Sequence, residues 1–343
     1  MDIRVAKKVV DYVLSNEELF PEDNVIFDFI GGEPLLEIKL IQEIVDYATK
    51  KMTHEEHRWR DDYKIRLTTN GLMYSSLSVQ HFITKYKKRL NIVMSIDGTK
   101  YWNDINRVFP NGEGSYNHII GNLKLWISQF PMVSTNMVVS HDNVSNVFEN
   151  ARHLLELGIK KLNTTIQVED VWKNGDETVL EEQLIKLADY VVDNNMYYDY
   201  ELYVFEEGIG YPIDSETDTS PCGSKLLSVD SSGNFYTCLR FANYSLREKE
   251  PRMIGNVFQG IDKNKLRPFI AINHTSISIG DCSNCEVASG CKWCPAENYD
   301  SSSTGTLFQR STAVCKMHKA RVRARNYYKN RIVSRENGRI WNI

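Results

Sequence analysis

Residues 24–52 read NVIFDFIGGEPLLEIKLIQEIVDYATKKM. The first seven form a short, mainly apolar run of the kind a buried strand carries. Gly31 and Gly32 then free the backbone to turn. Pro34 suits the first turn of a helix, where its missing N–H costs little. From Leu40 the apolar residues return at helical spacing, with Leu40, Ile41, Ile44, Val45, Ala48 and Met52 on one face. The stretch is therefore a strand, a sharp turn and an amphipathic helix: one βα unit.

The unit repeats. Strands are expected at 63–69 (YKIRLTT), 91–97 (NIVMSID), 133–140 (VSTNMVVS) and 161–168 (KLNTTIQV). Helices are expected at 78–90, 116–130, 146–158 and 180–195. Regular alternation makes a parallel sheet through right-handed crossovers, so the fold class is α/β, as an open doubly wound sheet or a full or partial barrel. Both architectures place chemistry where strands end. The motifs GGEP (31–34), TNGL (69–72), SIDG (95–98) and SHDN (140–143) all fall there. Ahead of the first strand, Asp2 caps a helix with Ala6, Val9, Val10, Val13 and Leu14 on one face. The series thus opens on a helix, and its first βα unit is expected to be missing.

Composition narrows the function classes. Of 343 residues, 42% are hydrophobic and 25% charged, as in a soluble globular protein. A net charge of -4 gives no general attraction to nucleic acid or anionic lipid. The one concentrated basic stretch, 318–335, reads as a solvated terminal helix rather than a polyanion site. No apolar run approaches the ~18 residues of a membrane span, and the N-terminus has no secretory apolar core. The chain holds seven cysteines, none before Cys222. An odd count clustered late in a long chain suggests metal binding in a reducing cytoplasm more than disulfides.

In GGEP, Glu33 offers a carboxylate to a cationic group; an acidic residue there disfavours a phosphate loop. Ser95 and Asp97 stand at a strand end, and Arg107 can meet a small carboxylate or form a structural ion pair. The cysteines run Cys222 and Cys238, then Cys282-x2-Cys285-x5-Cys291-x2-Cys294, then Cys315. Two C-x2-C pairs set thiolates close enough to share a metal centre, and the spacing suits zinc or iron–sulfur clusters equally.

Taken together these segments resemble radical S-adenosylmethionine (SAM) enzymes that carry a C-terminal SPASM domain, and most of all the thioether-forming maturases of CXXX-repeat peptides. The resemblance covers about residues 1–320. It rests on FIGGEPLL, TTNG, SIDGTK with NRV and GEGSY, CGSKLLSVDSSGNFYTCLRF with IGNV, and CSNCEVASGCKWCPAENY with its distal Cys315. It implies that Gly31, Gly32 and Glu33 hold the amino group of S-adenosylmethionine. Ser95 and Arg107 would address the ribose and carboxylate, with Asn70 and Asp97 nearby. Cys222, Cys238 and Cys294 would ligate one auxiliary [4Fe-4S] cluster, left with an open iron. Cys282, Cys285, Cys291 and Cys315 would ligate a second.

The resemblance further implies a ribosomally made, Cys-rich precursor peptide as substrate and a ferredoxin or flavodoxin as electron donor. The expected layout is a partial radical SAM barrel over 1–197, a connecting segment over 198–220, a SPASM region over 221–318 and a basic helix and tail over 319–343. Two features depart from the family pattern. Cys291 and Cys294 have two residues between them rather than three. The C-x3-C-x2-C motif of the catalytic cluster, expected after a first strand, is absent, so the chain reads as N-terminally truncated and inactive in SAM cleavage.

Overall fold

The computed structural model describes residues 1–340 except 170, 207–208, 211, 213–221, 248, 279, 292 and 301–303. The alternation read from the sequence is present. Helix α1 (Ile3–Ser15) is followed by β1 (Val25–Phe29), α2 (Ile38–His54), β2 (Tyr63–Thr69), α3 (Leu77–Tyr86) and β3 (Leu90–Ser95). Then come α4 (Lys100–Asn106), α5 (Tyr116–Gln129), β4 (Ser134–Val139), α6 (Val147–Glu156), β5 (Lys161–Ile166), α7 (Asp176–Asp193) and β6 (Glu201–Leu202). Asp2 caps α1 as expected, its Oδ1 accepting from Arg4 N at 2.7 Å. Two elements had no periodic signal: α4 is two turns long, and β6 has two residues.

The six strands lie in the order β1-β2-β3-β4-β5-β6, the βα series laid side by side in a parallel sheet. Burial alternates along β2, β4 and β5, whereas Ile92, Val93 and Met94 of β3 are buried in succession. Ile65, Leu67 and Thr69 of β2 and Leu162, Thr164 and Ile166 of β5 are buried, whereas Arg66, Thr68, Asn163 and Thr165 between them are half-buried. Parallel sheets are normally covered on both faces. Here one face is a core and the other is polar and only half covered. At the β1 edge, Ile26 and Ile30 are 55% and 51% exposed.

After β6 the architecture changes. A small antiparallel sheet in the order β10-β9-β8-β7 is built from β7 (Ser228–Val229), β8 (Asn234–Tyr236), β9 (Gly255–Asn256) and β10 (Gly260–Ile261). Helices α8 (Lys263–Ile270), α9 (His274–Ile277) and α10 (Pro295–Asp300) follow, and the long α11 (Cys315–Ile340) ends the described chain. No helix among the described residues is long and apolar enough to cross a membrane.

Two compact units divide the chain, each drawing on three segments that alternate along the sequence. One comprises Met1–Phe27, Glu37–Ile65 and Tyr211–Thr312; the other comprises Asp28–Leu36, Arg66–Gly210 and Ala313–Ile343. In the first, Val10 and Leu14 of α1 pack with Ala48 and Met52 of α2 and with Trp59. Burying a Val, Leu or Met side chain of this kind contributes about 1.5–3 kcal/mol. The outer face of α1 reaches the antiparallel sheet, where the Tyr12 ring lies 5.1 Å from Phe235 and its hydroxyl accepts from Ile261 N at 2.9 Å. In the second unit, α11 lies along α7. The basic stretch is matched there by acid: Arg323 pairs with Glu181, and Arg331 with Asp189 and Asp193.

Candidate functional site

Two groups of residues stand out, one in each compact unit. The first lies at the C-terminal ends of the parallel strands. Gly31 and Gly32 adopt φ of +113° and +28°, the left-handed region that glycine enters without strain. A Cβ at either position would meet nothing within 4 Å, so the turn borders open space. It aims Glu33 at the end of β2. Glu33 Oε1 accepts from Thr69 Oγ1 at 2.6 Å and Leu35 N at 2.9 Å, and Oε2 accepts from Asn70 N at 2.8 Å. A carboxylate offers about four acceptor positions; three are used, which leaves capacity on Oε2. Asn70 Oδ1 in turn accepts from Leu72 N at 3.0 Å, holding the TNG turn.

Ser95 is the last residue of β3, half-buried and in register with Asn136 of β4. Asp97, just beyond, is buried and binds Arg107 through two bonds, from Nε at 2.8 Å and Nη2 at 3.2 Å. Val138 N also donates to Asp97 Oδ1, at 3.2 Å. Arg107 follows α4, and its carbonyl accepts from Ser115 N at 3.0 Å and Oγ at 2.7 Å. Its guanidinium therefore has one edge fixed by Asp97, and Nη1 lies outside that pair. On the next strand end, His141 Nδ1 lies 2.9 Å from Asp176 Oδ2. His141 lies within the SHDN motif, which reads only as a polar strand end, and no sequence signal points to Asp176 at the start of α7.

The second group is the cysteines. Cys222, Cys238 and Cys294 come from three separate segments; the Cys222 and Cys238 thiols hydrogen-bond, and Cys294 packs on the same apolar cluster as Cys238. The Cys222 thiol hydrogen-bonds Cys238 and holds it well below the ordinary thiol range against the opposing effect of burial; the Arg240 charge and the Arg240 and Leu239 N–H groups assist. Burial pushes Cys294 up, Arg240 pulls it back, and the charge of Cys238 adds to the rise. Cys238 and Cys294 both pack on the apolar cluster of Phe235, Phe241, Phe269 and Ala296. A gathered set of thiols, one of them biased toward thiolate, on an apolar wall is a soft donor set.

Cys282, Cys285 and Cys291 lie on successive tight turns, with Cys285 N bonded to Cys282 O and Cys291 N to Ala288 O. Arg310 Nη2 donates to Cys291 O at 3.3 Å, and the same guanidinium contacts His274, on which Trp293 stacks. Cys315 opens α11, in the other compact unit. Among the described residues no three His, Cys, Asp or Glu side chains close on a single ion-sized centre.

No protein-family model matches the chain. It is 27% identical over 165 residues to an uncharacterized protein of Methanocaldococcus jannaschii. The match covers 48% of this chain and 52% of that protein, so the chain spans about half the length of this relative. In three dimensions, 98% of the chain is similar to 90% of anSMEcpe with bound AdoMet, at a TM-score of 0.68 and 17% identity. A further 90% match covers 69% of Streptococcus suis SuiB bound to S-adenosylmethionine, at a TM-score of 0.56 and 15% identity. SuiB bound to its precursor peptide SuiA gives a TM-score of 0.55 and 14% identity, covering 90% of this chain and 68% of that one. At these identities the likeness establishes the α/β fold.

Proposed function

We propose that this chain carries the barrel and cluster-binding parts of a radical SAM peptide maturase that installs thioether crosslinks in a Cys-rich, ribosomally made precursor. The observation that carries this reading is the Cys222–Cys238 thiol pair, with Cys294 on the same apolar cluster as Cys238, in a chain with this fold. SuiB bound to a precursor peptide and anSMEcpe bound to a Kp18Cys peptide support a peptide substrate.

The parallel-sheet unit would bind and orient S-adenosylmethionine. Glu33 would take the amino group on Oε2, beside the open space at Gly31 and Gly32. Arg107 Nη1 would meet the carboxylate, with Asp97 keeping the guanidinium in plane, and Ser95 and Asn70 would address the ribose side. The cysteine-bearing unit would hold two auxiliary [4Fe-4S] clusters, one on Cys222, Cys238 and Cys294 and one on Cys282, Cys285, Cys291 and Cys315. Phe235, Phe241 and Ala296 would keep water from the first. Bound clusters and S-adenosylmethionine supply electron transfer and radical chemistry; the chain supplies placement. A ferredoxin or flavodoxin in a reducing cytoplasm is the matching electron source. No cysteine precedes Cys222, so the chain by itself is expected to form no 5′-deoxyadenosine from S-adenosylmethionine and dithionite.

The test is anaerobic reconstitution with iron and sulfide, followed by metal analysis and EPR. Two clusters, roughly eight irons, are expected. C222A and C294A should each deplete one cluster and C285A the other. A colourless protein with stoichiometric zinc would sink the proposal and favour a structural zinc module. Full iron with no affinity for S-adenosylmethionine or peptide would favour a scaffold.

A further inference from the structure

Beside the residues that would bind S-adenosylmethionine, the strand ends hold one further pair. Strand β4 ends at Val139, and the chain goes directly into the 3-10 turn His141–Asn146. Buried Asn143 holds that turn: its Oδ1 accepts from Ser140 N at 2.9 Å, and its Nδ2 donates to Val138 O at 2.9 Å. His141 is therefore not needed to fold the turn. Its Nδ1 instead lies 2.9 Å from Oδ2 and 3.1 Å from Oδ1 of Asp176, the first residue of α7. Asp176 is itself buried and fixed, its Oδ2 accepting from Lys173 N at 2.7 Å.

This pairing decides where the imidazole proton sits. A carboxylate only accepts, so Nδ1 carries the hydrogen and Nε2 presents its lone pair. Among the described residues nothing hydrogen-bonds Nε2, and that atom is not buried. The His141 side chain is 30% exposed, enough to be reached from solvent. It stands at the C-terminal end of the parallel strands, where barrel enzymes place their chemistry. Asp97 is the neighbour on that side, since its Oδ1 accepts from Val138 N, just ahead of His141 in the chain.

We propose that His141, oriented by Asp176 as a positioning residue, is a catalytic base that takes the proton from the thiol of the substrate cysteine. The inference rests on the thioether reading above, because joining that sulfur to carbon requires its S–H bond to break. The proton passes to Nε2, the sulfur keeps the bonding pair as a thiolate, and the imidazolium still donates Nδ1–H to Asp176. The exposed ring then returns the proton to water. No oxidant or reductant enters this step.

The experiment uses the full chain with S-adenosylmethionine and no reductant, as wild type, H141Q and D176N. The probe is acetyl-Cys-Ala-Ala-Ala-amide carrying carbon-13 at the cysteine Cβ, whose NMR shift separates thiol from thiolate without interference from the chain's own cysteines. Free in solution at about pH 7, a few per cent of such a thiol is ionised. Bound to wild type, that fraction should rise several-fold. H141Q should return it to the free value while binding the serine analogue, acetyl-Ser-Ala-Ala-Ala-amide, as wild type does. D176N lets an amide donate to Nδ1 and puts the proton on Nε2, so it should also lower the fraction. A bound fraction in wild type no higher than in free peptide, or equal in wild type and H141Q, overturns this inference alone. So does lost affinity for the serine analogue in folded H141Q, which would make His141 a structural tie. If H141Q fails to fold, D176N decides: a wild-type thiolate fraction there overturns it. No binding of either peptide to wild type overturns the peptide reading, and this inference with it.

Discussion

Glu33 shows how much one residue can hold. Its carboxylate joins the β1–α2 turn to the end of β2 through three donors. In Glu33→Gln an amide N–H₂ must replace one oxygen, so it faces a donor that can no longer be satisfied. Such a loss costs about 1–3 kcal/mol. Urea unfolding should show a stability drop of that size; an unchanged midpoint would mean the turn does not depend on the carboxylate. The strand-end positions of Glu33, Asn70, Ser95 and Asp97 were legible in the sequence because periodicity places strand ends, and polar residues there are conspicuous. Thr69 was quoted within its motif but not singled out, because a threonine inside a strand looks like any other. The pairing of Arg247 with the buried Glu297 and Asp300, at 3.0 and 3.2 Å, was not legible at all. Nothing periodic announces it.

At the scale of elements, the turn between β7 and β8 is built on one carboxylate. Asp230 accepts from Ser232 N at 2.9 Å, Asn234 N at 3.0 Å, Asn234 Nδ2 at 2.9 Å and Tyr236 Oη at 3.1 Å. Burial pushes its pKa up, but these bonds together outweigh burial and leave it lowered. The unfolded chain then binds more protons in the acid range, so stability rises with pH there. The contribution is complete above the unfolded carboxyl value of about 4 and is lost as pH falls through the lower folded value. The gap between the urea midpoints of wild type and Asp230→Asn should therefore shrink from about pH 6 to about pH 3. A constant gap would count against the carboxylate's role. Helix α11 offers a second contrast. Arg321, 9% exposed in its side chain, donates to Val204 O at 2.9 Å and to Tyr203 O, and pairs with Glu206 at 3.0 Å. Arg321→Ala strands those carbonyls and should cost about 2–3 kcal/mol. Arg331→Ala breaks only half-exposed pairs and should cost less than about 1 kcal/mol. Equal shifts in thermal midpoint would contradict the assignment. The expectation of a solvated basic helix was right about the helix. It did not foresee that α7 supplies the acid, because charge runs do not name their partners.

For the molecule as a whole, chain order and compactness divide the residues differently. Residues 1–27 and 37–65, which the βα series assigns to the barrel, cluster with 211–312. Periodicity finds elements along the chain, whereas this grouping depends on which faces meet, and Tyr12 is where it becomes specific. Its ring packs on Phe235 and its hydroxyl receives Ile261 N–H. Tyr12→Ala should destabilise the cysteine-bearing unit by about 2–4 kcal/mol, as expected for loss of a largely buried aromatic. Tyr12→Phe should cost only about 1 kcal/mol. Amide exchange should quicken in β8 and β10 in the alanine variant; if protection there is unchanged, α1 is not part of that unit's stability.

The β1 edge has a practical consequence for anyone handling the protein. Among the described residues β1 is the end strand of its sheet, and with Ile26 and Ile30 in solvent it is a template that another copy can join strand to strand. Concentrated samples should form concentration-dependent oligomers and eventually precipitate, with light scattering rising well before any loss of helical signal. A lysine at position 26, the gatekeeping charge that natural edges use, should suppress that growth while leaving the thermal midpoint nearly unchanged.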